Sequence, residues 1–102
     1  MYNIWLRYVI NMDDDRWNLI GYVIASKYRR KVLFFLKGKY ATPKQISNGT
    51  DIPINHVSNI LISLRKKNLV ECKNPQVKRG RIYVLTKTAG EIVDNIDDNI
   101  HK

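Results

Sequence analysis

Apolar residues recur along this chain in short runs with helical spacing, and each run closes on a residue that stops a helix. Trp17, Ile20, Val23 and Ile24 share one side of a helix that opens near Asp15, with aspartates 13–15 at its positive end. Ser26 marks a new cap or a bend. Lys27 to Lys37 then carries Tyr28, Val32, Leu33, Phe35 and Leu36 as its apolar set, and Gly38 ends it as a left-handed cap. Lys39-Tyr40-Ala41 is a short extended link, a candidate minor strand. Thr42-Pro43 opens the next helix, with a hydroxyl cap and then a proline where its missing N–H costs nothing. That helix is short, has Ile46 as its main core contact, and ends near Asn48-Gly49, where Gly49 is expected to supply a positive φ. Thr50 to Pro53 reads as a turn. Asn55 to Lys67 reads as a second helix whose Val57, Leu61 and Leu64 form one buried stripe, widened by Ile60.

Beyond Asn68, a candidate left-handed cap, the pattern changes to strands. Leu69 to Lys73 and Arg81 to Leu85 read as two short strands, with Asn74-Pro75 and Arg79-Gly80 punctuating the loop between them. Thr86 caps a last helix with Ala89, Ile92, Val93, Ile96 and Ile100 on one stripe. Short helix, tight turn, second helix and basic hairpin, in that order, is the plan of a winged helix-turn-helix. The expected fold class is therefore mainly α with a small β-hairpin. Residues 17–97 would form this domain, residues 1–16 an N-terminal extension and residues 98–102 a tail. Within the extension, Met12 is a candidate start, which would make residues 1–11 a leader or an added packing element.

A length of 102 residues suits one core, and an apolar fraction of 44% argues for a folded chain. The net charge of +9 is unevenly placed. Residues 26–90 hold fifteen Lys/Arg against Asp51 and Glu71, whereas the two ends hold three cations against seven acids. Cations gathered in the two-helix and hairpin segment suit a polyanion. A lone cysteine, Cys72, makes no internal disulfide and points to a reducing, cytoplasmic compartment. With His56 and His101 as the only histidines, an internal zinc site is not expected, and neither is any cofactor. The longest uncharged apolar stretch, Trp17 to Ser26, is about half of the roughly 20 residues of a membrane span. No phosphate loop, nucleophile–base pair or facing carboxylate pair is present, so an enzyme is not expected.

The segments Ala25-Ser26-Lys27-Tyr28-Arg29-Arg30-Lys31-Val32-Leu33, His56-Val57-Ser58, Lys67-Asn68-Leu69-Val70-Glu71-Cys72 and Lys78-Arg79-Gly80-Arg81-Ile82-Tyr83-Val84-Leu85-Thr86 resemble small archaeal winged-helix regulators of the broad ArsR and MarR type. The resemblance spans roughly Trp17 to Val93 and implies operator binding, often by a dimer. It departs in lacking the cysteine-rich sensor of metal-responsive ArsR proteins, and in carrying Asn59 where relatives often have arginine.

In this plan the N-terminal half of the second helix enters the major groove, presenting Asn55, His56, Ser58 and Asn59 to base edges, with Ser63 further along. Asn55 could equally belong to the helix cap, and His56 could be simply solvated. Arg65 and Lys66 suit phosphates, but cations also favour any helix C-terminus. Thr42 and Lys44 can meet phosphate at the start of the first motif helix. Lys73, Lys78, Arg79 and Arg81 make the hairpin basic, for the minor groove or flanking backbone, or as protection of a strand edge. Trp17, Ile20, Ile92, Ile96 and Ile100 are the expected interface of a homodimer built from the first and last helices. The expected function is sequence-specific binding of double-stranded DNA as a transcriptional regulator, most simply a repressor acting by promoter occupancy. A protein-docking module or a nonspecific nucleic-acid binder is the alternative.

Overall fold

The computed structural model describes the backbone of residues 14–100 and the side chains of residues 16–96. Within them the order is α1 (Asp14–Ile24), α2 (Lys27–Phe35), α3 (Pro43–Thr50), α4 (Ile54–Lys66), β1 (Val70–Cys72), β2 (Tyr83–Leu85) and α5 (Lys87–Ile100). This is a winged helix-turn-helix, as the apolar pattern implied. Expectations about residues 1–13, and about the side chain of Ile100, lie outside the described residues.

Local chemistry sets most element boundaries. The Ser26 hydroxyl caps α2 by accepting from the Arg29 N–H at 3.2 Å. At α3 the capping box is complete. The Thr42 hydroxyl accepts from Gln45 N at 3.2 Å, and the Gln45 side chain accepts from Thr42 N at 2.9 Å. Thr86 Oγ1 caps α5 through Ala89 N at 3.2 Å and also donates to the Asn68 carbonyl at 2.8 Å, tying the end of α4 to the start of α5. Asn68 takes the left-handed conformation at φ 60°, and Gly38 takes it at φ 71°.

One expectation is corrected in the turn. The positive φ falls on Asp51, at 60°, and Gly49 lies within α3. Asp51 closes the helix by donating its N–H to the Ser47 carbonyl at 2.9 Å, and the Ser47 hydroxyl then donates to the Ile52 carbonyl at 2.6 Å. Glycine is needed at position 49 for a different reason. A Cβ there would overlap the Phe35 ring, closer than 3.0 Å to its carbons.

The core is built from the expected stripes. Val32, Leu33 and Leu36 meet Ile46, Ile52 and the Val57–Leu61–Leu64 stripe of α4, all essentially excluded from solvent. The hairpin pairs Val70 with Leu85, Glu71 with Val84 and Cys72 with Tyr83. Ala41 forms a single bridge to Tyr83, so the link before α3 lies against the hairpin where a minor strand was expected. Leu69, Val70 and Tyr83 turn inward and close the core below the hairpin.

The expected dimer interface is corrected at α5. Ile92 is 0% exposed and Ile96 only 5%, because α5 packs its apolar stripe onto α2 and β2 of the same chain. Side chains already covered by their own domain have no area left for a second copy. Trp17, by contrast, is 38% exposed, and Ile20 is only partly buried. Arg16 and Glu91, paired at 3.0 Å, tie α1 to α5.

Candidate nucleic-acid interface

Helix α4 begins without a side-chain cap. Pro53 occupies the N-cap, and no side chain bonds to the first turn. Asn55 is therefore not a cap residue; its side chain is exposed on the first turn. With Val57, Leu61 and Leu64 facing inward, helix geometry turns Asn55, Ser58, Asn59, Ile62, Ser63 and Lys66 outward at i, i+3, i+4, i+7, i+8 and i+11. All six are exposed. The turn between α3 and α4 thus presents a polar, uncapped helix face to solvent.

His56 lies on the flank of this face. Its ring stands edge-on to Tyr28 of α2, with centroids 6.2 Å apart. His56, Asn59 and Ser63 line one wall of an open groove of about 210 Å³, and Ser26, Tyr28 and Arg29 line the other. The expected place of Tyr28 in the apolar set of α2 is corrected here. Its side chain is exposed, because it lies at the mouth of this groove.

Many of the cations in the basic segment have structural partners. Arg29 donates to the Tyr22 carbonyl at 2.6 Å and stacks 3.8 Å over the Tyr22 ring, while Arg30 donates to the Ile24 carbonyl. Together they satisfy open C-terminal carbonyls of α1. Lys67 approaches the Tyr22 ring to 5.2 Å, and Lys31 donates to the Thr50 carbonyl at 3.3 Å. Lys73 pairs with Glu71 at 3.0 Å on the hairpin surface. Among the described residues, Lys44, Arg65, Lys66, Lys78 and Arg79 are exposed and carry no side-chain hydrogen bond or ion pair. They flank α4 along the chain: Lys44 in α3, Arg65 and Lys66 at the end of α4, Lys78 and Arg79 in the wing loop.

The wing loop is organised by two of its own side chains. Asn74 accepts from Ile82 N at 2.8 Å and donates to the Gly80 carbonyl at 3.1 Å. Arg81 donates to the Val77 carbonyl at 2.7 Å and to the Pro75 carbonyl at 3.3 Å. Arg81 therefore holds the loop that displays Lys78 and Arg79. Thr42 is placed similarly: its hydroxyl and N–H are both engaged in the capping box, while Lys44 remains open.

Three further exposed side chains were not among the expected site residues. Ile62 is 55% exposed at the centre of the outward face, Ile54 is exposed at the start of α4, and Tyr40 is exposed beside Ala41. Ile62 is detectable from its phase alone, since it falls between polar positions and off the Val57–Leu61–Leu64 stripe. Among the described residues no group of three or more His, Cys, Asp or Glu could hold a metal ion, and no helix is long and apolar enough to cross a membrane.

No family model and no curated relative matches the sequence. Solved structures do match the fold. HlyU from Vibrio cholerae N16961 is similar with a TM-score of 0.74 at 15% identity, covering 89% of this chain and 100% of that one. Mb0332 from Mycobacterium bovis, a homodimeric winged helix-turn-helix DNA-binding domain and a possible ArsR-family regulator, is similar with a TM-score of 0.71 at 16% identity over 89% of each chain. A MarR family transcription regulator is similar with a TM-score of 0.68 at 24% identity, over 74% of this chain and 52% of its own. This chain thus spans about half the length of that regulator. At these identities the likeness is one of fold, shared with winged helix transcription regulators.

Proposed function

We propose that this chain is a sequence-specific double-stranded DNA-binding transcriptional regulator, acting as a repressor by promoter occupancy. The observation that carries the reading is the outward face of α4. It combines hydrogen-bonding side chains at groove-reading spacing with cations on both flanks that no acid among the described residues neutralises. Asn55, Ser58 and Asn59 would read base edges, with His56 and Ser63 at the groove flank. Lys44, Arg65 and Lys66 would meet phosphates beside the major groove, and Lys78 and Arg79 would meet the backbone or minor groove one wing away. Thr42, Lys73 and Arg81 act mainly by shaping or supporting these surfaces.

The acting species is a homodimer in the cytoplasm, associated with the nucleoid. Its interface centres on Trp17 and Ile20 of α1, joined by Ile24, which is exposed on the same helix. Two recognition helices would then sit roughly 34 Å apart on a near-palindromic site.

Fluorescence anisotropy against the chain's own upstream DNA and a scrambled duplex, across a salt series, tests the reading. The expected result is tighter binding to the upstream DNA that persists as salt rises, with two chains per duplex. Equal binding to both that collapses with salt would replace it with nonspecific nucleic-acid binding. No binding at low salt would point to protein docking.

A further inference from the structure

We infer that Ile62 is a specificity residue that reads the C5-methyl group of thymine in the major groove. The inference rests on the DNA-binding function proposed above and deepens it by naming a base. Ile62 is well exposed, yet it lies one turn beyond Ser58 and Asn59 and one turn before Lys66, in the middle of the outward face of α4. Among the described residues it lies outside the buried core and the partly buried apolar residues packed on it, which include Ile60. A branched apolar side chain there loses rotamer freedom in a helix and leaves hydrocarbon in water. Nothing in the described domain offsets that.

The major groove supplies what the isolated domain lacks. Its floor is polar except at thymine, whose C5-methyl is the one apolar group a base pair presents there. The neighbours of Ile62 match the partner strand of such a pair. Asn55 and Asn59 lie on the same face, and an asparagine side chain can pair bidentately with the N6 and N7 groups of adenine. A face that joins two asparagines and one isoleucine is therefore suited to an A·T-containing half-site, with Ile62 distinguishing thymine from the other bases by packing alone. Ile54 does not duplicate the role. It is the first residue of α4, and its helix phase turns it to the flank shared with Ser58 and Arg65, away from Asn59.

The test removes one methyl group at a time. A binding site is first selected from a randomised duplex pool with the full chain, and each thymine in it is then replaced by deoxyuridine, which keeps every hydrogen-bonding group. At one position of each half-site, replaced singly, the change should weaken binding by about fourfold, the value of one buried methyl. The Ile62→Ala variant, altered at an exposed position, should fold normally and show no further loss on the same replacement. Uniform indifference to deoxyuridine, or a methyl effect that persists undiminished in the Ile62→Ala variant, overturns the inference while leaving DNA binding intact. Failure to enrich any site from the pool overturns the proposed function itself, and the inference with it.

Discussion

Gly49 and Thr42 show how closely single residues of the helix-turn-helix are constrained. Alanine at position 49 would favour the helix by up to about 1 kcal/mol on propensity alone. Its Cβ, however, would overlap the Phe35 ring, which is itself covered by Lys39 at 4.1 Å. Moving that ring costs about 1–3 kcal/mol, so Gly49→Ala is expected to be destabilising in a urea titration, and Gly49→Ala with Phe35→Leu less so. Thr42→Ala removes one half of the capping box and should cost about 1 kcal/mol in the same measurement. The two residues differ in how far sequence alone reveals them. Thr42-Pro43 is a local signal, readable because cap and proline act on their own backbone. The role of Gly49 is set by a ring on the preceding helix, and the local signal misplaced its cause: the turn places its positive φ on Asp51.

Elements carry the next constraint, and the wing is the clearest case. Lys73, Lys78, Arg79 and Arg81 look alike in the sequence, but the hairpin gives them different work. Arg81 bonds two carbonyls of its own loop, whereas Lys78 and Arg79 are exposed at the tip. Arg79→Ala should lower the slope of log affinity against log salt by about 1.8 in the proposed dimer, the loss of one phosphate contact from each wing, without altering the domain. Arg81→Ala should instead speed amide hydrogen exchange across Asn74 to Ile82, and weaken DNA binding through a loosened wing. If both variants changed only the salt slope, Arg81 would be a phosphate contact like its neighbour. The helices and hairpin themselves were legible because their stripes are periodic. Which cations are held by carbonyls, as Arg29 and Arg30 are at the end of α1, depends on tertiary neighbours that periodicity does not encode.

At the scale of the whole molecule, apolar residues on similar stripes serve two ends, and only burial separates them. Ile92 and Trp17 both fall on helical stripes, which is why both read as interface. Ile92 is sealed inside its own domain, while Trp17 is exposed on α1 one face with Ile24. Ile92→Ala should therefore cost about 2–5 kcal/mol of stability, a large part of what a domain this size holds, without a specific change in assembly. Trp17→Glu should instead act on assembly. Trp17 is 38% exposed, so the change gives up some cover within its own domain, and the charge opposes burial against a second copy. In sedimentation, this variant should run as a monomer at concentrations where the unaltered chain forms the proposed dimer. DNA binding should fall with it, since a monomer grips one half-site and loses a gain that reaches about a hundredfold or more when two linked sites are engaged together. The salt slope should fall too, because half of the phosphate contacts are gone. A Trp17→Glu variant that stays dimeric would move the interface off α1. One that becomes monomeric yet binds with unchanged affinity and salt slope would show that a single copy of α4 and its wing is the complete reader.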